Sequence, residues 1–300
     1  MDARVPRLPR KPLNGVLLLD KPLGWTSNDA LQKAKGILRA EKGGHTGTLD
    51  PLATGLLPLC FGSATKFSQA SLDADKRYTA TLRLGQRTST GDREGEIIEE
   101  RAVAVDRAAI EAACRRYTGA IDQTPPMHSA LKHQGRALYD YARAGVEVER
   151  PTRAVTIHRI DIVSWHDAEL VIDVACSKGT YIRTLAEDIG AALGCGAHLS
   201  ALRRTASGTL DVAQAVTLEQ LQALDVAGRE ALLLRPDALV AGWPAVHLAD
   251  DEAGRFLNGL RRRVALSDAP AVRVYRRPPE PRRTGGLSRN RPYHLRRTDR

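Results

Sequence analysis

The first third of the chain follows the periods of regular secondary structure. Residues 15–22 form an apolar run that ends at a proline, which predicts a short buried strand. Residues 55–61 and 76–85 predict two further strands, the second with side chains that alternate between apolar and polar. A helix is predicted between the first two strands, because a capping triplet at 26–28 precedes apolar residues at helical spacing: Ala30, Leu31, Ala34, Ile37 and Leu38.

The rest of the chain predicts a mixture of helices and strands up to about residue 276. Helices are predicted over 107–117, 181–193, 218–224 and 251–258, and strands over 154–163 and 169–176. Residues 122–153 are polar, basic and interrupted by prolines, so they are interpreted as an excursion from the core. Beyond residue 276 no buried face can be drawn.

These patterns predict four parts along the chain. They are a loose N-terminal arm over 1–12, a large domain over 13–241 with an insertion at about 124–152, a small unit over 242–276, and a basic, poorly ordered tail over 277–300. The net charge is +10, of which the last 25 residues carry +7. This balance favours a polyanionic partner such as nucleic acid, and it requires that any binding surface on the body arise from local clustering.

Composition also excludes several classes of protein. The four cysteines are widely separated and no Cys/His group has the spacing of zinc ligands, so we predict no metal site. No apolar run approaches the length of about 20 residues that spans a bilayer. The basic N-terminus lacks the apolar stretch of a secretory signal. We therefore predict a soluble, cytoplasmic protein with reduced thiols.

One acidic residue stands alone in the glycine-rich segment from 43 to 59. Asp50 precedes Pro51 there, among glycines that permit tight turns and close approach of another backbone. One interpretation is structural, since an Asp-Pro pair commonly caps and starts a helix. The other is a reactive carboxylate that requires a nearby cation, and the candidate for that cation is Arg183.

Arg183 and Tyr78 each admit two interpretations. Arg183 lies in the first turn of the predicted helix 181–193, where a cation gains nothing from the helix dipole. It is either a solvated surface residue or the planar partner of Asp50. Tyr78, on the predicted strand 76–85, is either a core aromatic or a side chain that stacks on a nucleobase in a cleft.

These three segments, together with residues 15–24 and 198–204, resemble the TruB family of bacterial tRNA pseudouridine synthases, which modify uridine 55 of the T-loop. The similarity runs in order from about residue 15 to 204. It implies an α+β fold: a mixed, mainly antiparallel sheet with flanking helices, followed by a small β-rich PUA-like unit. Residues 277–300 do not supply the strands that would complete such a unit. The resemblance also implies a monomeric isomerase that acts on tRNA without a cofactor.

The resemblance assigns roles to matching positions. Asp50 matches the catalytic nucleophile, and the sequence leaves three routes open: its carboxylate attacks the sugar, attacks the base, or first removes a ribose proton. Arg183 matches the arginine that pairs with Asp50. Tyr78 matches the tyrosine that stacks on the target base and assists removal of the proton from carbon 5. Tyr181 and Leu202 match residues that line the uridine pocket.

Residues outside that pocket are predicted to contact RNA. His45 matches a histidine that helps to stabilise the rearranged T-loop. The insertion at about 124–152 matches a segment that grips RNA. Its basic side chains and those of 198–204 are predicted to contact phosphates: Lys132, Arg136, Arg203 and Arg204.

Two other functions fit part of these observations. A non-catalytic protein that binds or folds tRNA would carry the same basic clusters, but it has no need of Asp50 with Arg183 and Tyr78. A synthase that acts on a different uridine would retain those three residues. Mapping pseudouridine in an initially unmodified tRNA separates all three cases.

Overall fold

The computed structural model describes residues 9–259, 269 and 271–276, and the backbone of 292–293. Its strands and helices follow one another without a regular repeat. In chain order they are β1 (Gly15–Lys21), α1 (Ser27–Leu38), β2 (Gly43–His45), β3 (Ala53–Phe61), α2 (Ser68–Leu72), β4 (Lys76–Leu84), β5 (Gln86–Thr88), β6 (Ile97–Glu100), α3 (Arg107–Arg116), β7 (Gly119–Gln123), β8 (Lys132–His133), β9 (Arg136–Ala137), α4 (Leu138–Arg143), β10 (Arg153–His166), β11 (Glu169–Cys176), α5 (Ile182–Ala192), β12 (Ala197–Ser207), β13 (Leu210–Asp211), α6 (Leu218–Ala223), α7 (Val226–Ala231), β14 (Ala245–Leu248), α8 (Asp250–Leu257), β15 (Arg273–Arg276) and β16 (Pro292–Tyr293).

A single mixed sheet forms the centre of the molecule. Its strand order is β1-β3-β12-β4-β11-β10-β7, with β2 added to β3 and β13 added to β12. The pairs are antiparallel except for β3 with β12, which run parallel where Leu202 lies opposite Ala53. The predicted α+β fold with a mixed, mainly antiparallel sheet is therefore confirmed.

The two halves of the sheet are covered differently, and the sequence reflects this. Helices α1 and α6 pack on one face of β1 and β3, and residues 210–215 and 238–239 pack on the other. Both faces are thus buried, which explains the continuous apolar run of β1. In β4 and β11 the side chains alternate, because α3 and α5 cover one face only. No helix in the described part of the chain is long and apolar enough to cross a membrane.

A second, small sheet follows the large one. Strand β14 pairs parallel with β15, and β16 pairs antiparallel with β15. Tyr275 on β15 donates a hydrogen bond to Asp237, which is buried in the 3-10 helix 236–240 before this unit. The small sheet is therefore attached to the body by a buried polar contact. The assignment of this small sheet to a PUA-like unit stays a prediction.

The chain ends differ from the predicted loose segments where the structure describes them. Residues 1–8 of the predicted arm lie outside the described residues, but Lys11 forms a backbone bridge to Ala40. The carbonyl of Pro9 accepts two hydrogen bonds from Arg39. Most of the predicted tail 277–300 also lies outside the described residues, and its residues 292–293 form β16. The sequence carries no sign of these pairings, because isolated bridges leave no periodic pattern.

Candidate active site

A cavity of about 380 Å³ opens where several connections of the sheet meet the starts of β4 and α5. Its walls come from the loop before β3, the beginning of β4, the turn before α5, the middle of β12 and the insertion between β7 and β10. The volume lies within the range of roughly 300–1,000 Å³ that is usual for small-ligand sites. Asp50 is the only acidic side chain among the residues of the described chain that line it.

The loop that carries Asp50 is braced from neighbouring elements. The Ser27 hydroxyl, at the start of α1, donates to the carbonyl of Leu49 at 3.0 Å and accepts from its N–H at 2.8 Å. The Gly24 N–H donates to the carbonyl of Pro51 at 2.8 Å. Pro51 begins a turn that leads into β3 rather than a helix, so the helix-cap interpretation of Asp50 is wrong.

Asp50 and Arg183 form an ion pair across the cavity. Arg183 Nη2 lies 3.0 Å from Asp50 Oδ2, although 133 positions separate the two residues. The Arg183 side chain is 7% exposed, whereas that of Asp50 is 43% exposed. The predicted pairing is therefore confirmed, and the alternative of a solvated Arg183 is wrong. The guanidinium is thus buried, whereas the carboxylate stays accessible from the cavity.

Asp92 is a second carboxylate on Arg183, and it was not predicted from the sequence. Its Oδ2 lies 3.3 Å from Arg183 Nη1, and its side chain is 5% exposed. Its Oδ1 accepts hydrogen bonds from the Thr90 hydroxyl at 2.6 Å and the Glu94 N–H at 3.1 Å. The loop 88–96, which carries Asp92, is attached to β12 by a backbone bridge between Asp92 and Leu199. Asp92 thus fixes the guanidinium that holds Asp50.

The insertion completes the surroundings of Arg183. Arg183 Nη2 also donates to the carbonyl of His128, in the insertion, at 2.5 Å. Arg183 Nη1 donates to the carbonyl of Thr90 at 3.2 Å. Arg183 therefore joins the Asp50 loop, the 88–96 loop and the insertion. A buried arginine with partners on three segments has little freedom to reorient.

We expect Asp92→Asn to slow the predicted conversion of uridine by roughly 10- to 100-fold, because a neutral amide group no longer balances the buried charge of Arg183. Single-turnover rates at saturating enzyme measure this effect, and a thermal melt reports the accompanying loss of stability. Asp161→Asn serves as the control, since Asp161 pairs with Arg159 on the exposed part of β10. An unchanged rate in Asp92→Asn would show that Asp92 does not contribute to the reaction.

Tyr78 lies beside Asp50 in the wall of the cavity. It shares one face of β4 with Ala80, Leu82 and Leu84, as the alternation predicts. Burial raises the pKa of the Tyr78 phenol, while the charge of Arg204 and a hydrogen bond from it act in the opposite direction. Tyr78 packs against both hydrophobic clusters of the sheet and lines the cavity. The two interpretations of Tyr78 are therefore compatible.

Tyr181 and Leu202 also line the cavity, whereas His45 does not. The Tyr181 N–H, at the start of α5, donates to the Gln123 side chain at 3.0 Å, and burial raises the pKa of its phenol. Leu202 lies on β12 opposite Ala53 and Ala80. His45, on β2, has a buried Nδ1 without a partner among the described residues. Burial, assisted by Arg204, lowers the pKa of its imidazole.

The basic residues predicted to contact RNA occupy different environments. Lys132 and Arg136 are exposed on the β8–β9 hairpin, where Arg136 stacks on Tyr141 with 4.9 Å between the guanidinium carbon and the ring centre. Arg203 is bound by both oxygens of Asp20, at 2.9 and 2.7 Å. Arg204 is 1% exposed and lines the cavity, and its contact with RNA stays a prediction.

Three comparisons with known proteins bear on this site. A model of the TruB family pseudouridylate synthase N-terminal domain matches residues 35–182, and a model of the tRNA pseudouridylate synthase B C-terminal domain matches 183–236. The tRNA pseudouridine synthase B of Cupriavidus pinatubonensis is 62% identical over 86% of this chain and 83% of its own. The tRNA pseudouridine synthase B of Cupriavidus taiwanensis is 57% identical over 98% of this chain and 96% of its own.

Solved structures show the same fold. A crystal structure of a Cbf5–Nop10–Gar1 complex aligns with 82% of this chain and 67% of its own, with a TM-score of 0.65 and 30% identity. A structure of an H/ACA ribonucleoprotein bound to a substrate RNA containing 2′-deoxyuridine aligns with 87% of this chain and 73% of its own. The TM-score is 0.65 and the identity is 27%.

Proposed function

The chain belongs to the TruB family of pseudouridylate synthases, and we propose that it converts uridine to pseudouridine in tRNA, at position 55 of the T-loop. The observation that carries this proposal is the Asp50 carboxylate, held at 3.0 Å by the buried Arg183 in a cavity that Tyr78 also lines. The relatives that share more than half of the sequence bear the name tRNA pseudouridine synthase B.

The reaction is an isomerisation in which uracil changes its point of attachment to ribose. The bond between carbon 1′ and nitrogen 1 breaks, the base rotates, and carbon 5 bonds to carbon 1′. A carboxylate suits this change, since it can attack an electron-poor sugar carbon as in glycoside hydrolysis. We assign this role to Asp50. No group is oxidised, reduced or transferred to a second molecule, so we propose that no cofactor takes part.

The other cavity residues hold the reactants in place. We propose that the target base leaves the stack of the T-loop and lies against Tyr78, with Tyr181 and Leu202 forming the remainder of its pocket. Arg183 keeps the Asp50 carboxylate aimed at the sugar. Because a detached base would be lost to water, we propose that the cavity stays closed during rotation and that the insertion, which contributes to its wall, helps to exclude water.

We further propose that one copy of the chain suffices and that it acts in the cytoplasm, where tRNA is processed. Residues 13–241 would form the catalytic domain, and 242–276 an incomplete PUA-like unit. His45 would contact the T-loop outside the pocket. Basic side chains would bind the phosphates, with Lys132 and Arg136 on the insertion and Arg203 on β12.

We expect the double variant Lys132→Gln/Arg136→Gln to weaken tRNA binding without changing the single-turnover rate at saturating enzyme. The slope of log affinity against log salt should become shallower by about 0.7 to 0.9 for each phosphate that the protein no longer neutralises. The double variant Lys33→Gln/Arg159→Gln is the charge-matched control, since both residues are exposed outside the insertion. Equal salt slopes for the two double variants would show that the insertion does not bind phosphates.

The experiment that tests the function is incubation of the protein with tRNA transcribed without modifications, followed by mapping of pseudouridine along the RNA. Conversion confined to position 55 is the expected result. Conversion at another position supports a synthase with a different target. Binding without conversion supports the non-catalytic alternative.

A further inference from the structure

The wall of the cavity holds a buried cation to which the reaction steps above assign no role. Arg204, on β12, has no carboxylate of the described residues within 4.0 Å of its guanidinium. Its Nε donates to the carbonyl of Leu56 at 2.8 Å, and its Nη2 donates to that of Gly47 at 3.2 Å. Burying a charge without a counter-ion is costly, so such a group calls for an explanation beyond packing.

The cations near the cavity differ in how their charge is balanced. Arg183 faces two carboxylates, Asp50 and Asp92. Lys76 is a buried residue of the cavity wall whose ammonium donates to three carbonyls, and burial together with Arg204 lowers its pKa to about 8. Among the described residues that line the cavity, Arg204 is therefore the guanidinium without a carboxylate partner. It adjoins Tyr78, since Arg204 and Tyr78 are directly opposed on β12 and β4.

The proposed reaction creates a negative charge on the base. When the bond between carbon 1′ and nitrogen 1 breaks, both electrons stay with uracil while Asp50 bonds to carbon 1′. Carbon 5 then bonds to carbon 1′ as the Asp50 oxygen leaves. Carbon 5 loses its proton and nitrogen 1 gains one, so the product is an isomer. Between the two steps the detached uracil is an anion.

We propose that Arg204 provides the positive charge that stabilises the detached uracil anion. This inference rests on the proposed function. It follows from three properties of Arg204: the positive charge of its guanidinium, the lack of a balancing carboxylate among the described residues, and a position beside the tyrosine against which the base is expected to lie. Fixed charges of this kind act most strongly where water is excluded and charge develops during the reaction.

The competing explanation is that Arg204 only supports the Asp50 loop through the carbonyl of Gly47. The two explanations differ for a base whose anion is already more stable. In 5-fluorouridine the fluorine withdraws electrons, so the departing base needs less help from a cation. Bond cleavage precedes any change at carbon 5, and the fluorine therefore does not block the step that is measured.

The test compares tRNA with uridine or 5-fluorouridine at the target position, and it follows the disappearance of the nitrogen-linked nucleoside in a single turnover. For Arg204→Gln we expect a rate loss on the order of 100-fold with uridine and less than about 10-fold with 5-fluorouridine. Arg204→Lys keeps the charge and should stay within about 10-fold of the unaltered chain on uridine. Binding of tRNA should be unchanged in both variants.

Arg229→Gln is the matched control. Within the described part of the chain, Arg229 on α7 donates to the backbone carbonyls of Ile37, Leu221 and Gln222, as Arg204 donates to those of Leu56 and Gly47, but it lies outside the cavity. Its removal should lower the melting temperature without changing the ratio of the two rates. Where Arg204→Gln fails to fold, Arg204→Lys decides the matter, since an equal loss of about 100-fold on both substrates would overturn the role of the charge.

Failure of the two proposals can be told apart. If the unaltered chain converts uridine but Arg204→Gln is slowed equally on both substrates, Arg204 supports the loop and the inference is overturned. If the unaltered chain binds tRNA and converts neither nucleoside, the proposed function is overturned, and the role of Arg204 with it.

Discussion

Replacement of Asp50 by Asn is expected to abolish conversion of uridine, with a loss of at least about 10⁴-fold in the single-turnover rate, while tRNA still binds. Losses of this size are usual when the nucleophile of an enzyme is removed. The amide matches the shape of the carboxylate but cannot attack the sugar. The fold should survive, because Arg183 retains Asp92 as a charged partner at 3.3 Å.

The measurement is the amount of pseudouridine formed at saturating enzyme, beside an affinity determined with the same tRNA. Asp161→Asn again provides the control for removal of one carboxylate from an ion pair, and it should match the unaltered chain in both assays. Substantial pseudouridine from Asp50→Asn would exclude Asp50 as the nucleophile.

Arg183→Lys is expected to lower the rate on the order of 100-fold even though the positive charge is kept. The guanidinium divides its contacts between Asp50, Asp92 and two carbonyls. A single ammonium cannot reach all of these directions at once, and breaking a buried pair costs about 3–5 kcal/mol. The single-turnover rate should fall more than the affinity for tRNA, since Arg183 is buried.

A double-mutant cycle with Asp92→Asn tests whether the arginine acts through this arrangement. If Arg183 and Asp92 work as one unit, the combined variant should lose much less than the product of the two separate losses. Strictly multiplicative losses would mean that Asp92 and Arg183 act independently, and the assignment of Asp92 as the residue that fixes Arg183 would have to be withdrawn.

The sequence was sufficient for the residues at the centre of the site. Asp50 stands out because it is the one carboxylate in a segment of glycines and apolar residues, and Arg183 because a cation at a helix start needs a reason. Asp92 gives no such signal. It lies in a polar loop with glycines on either side, where an aspartate commonly serves a turn, and only the bridge to Leu199 carries it to Arg183.

The environments of Arg203 and Arg204 could not be predicted from the sequence for a different reason. Neighbouring residues on a strand point to opposite faces, so an Arg-Arg pair on β12 must divide between two environments. Arg203 reaches Asp20, and Arg204 is buried against Leu56 and Gly47. Residues 197–207 are not predicted as a strand from the sequence, and without that assignment both arginines are predicted to contact phosphates.

The position of β12 has a consequence for synthesis on the ribosome. Among the described strands, β12 alone lies between β3 and β4 and joins β1–β3 to the four strands β4, β11, β10 and β7. Until residue 207 has emerged, the nascent chain can form at most two separate half-sheets, each with an open hydrophobic edge. At elongation rates of about 5–20 residues per second these edges stay unpaired for seconds. Premature termination before β12 would therefore release a chain in which Asp50 and Tyr78 have no common sheet to hold them.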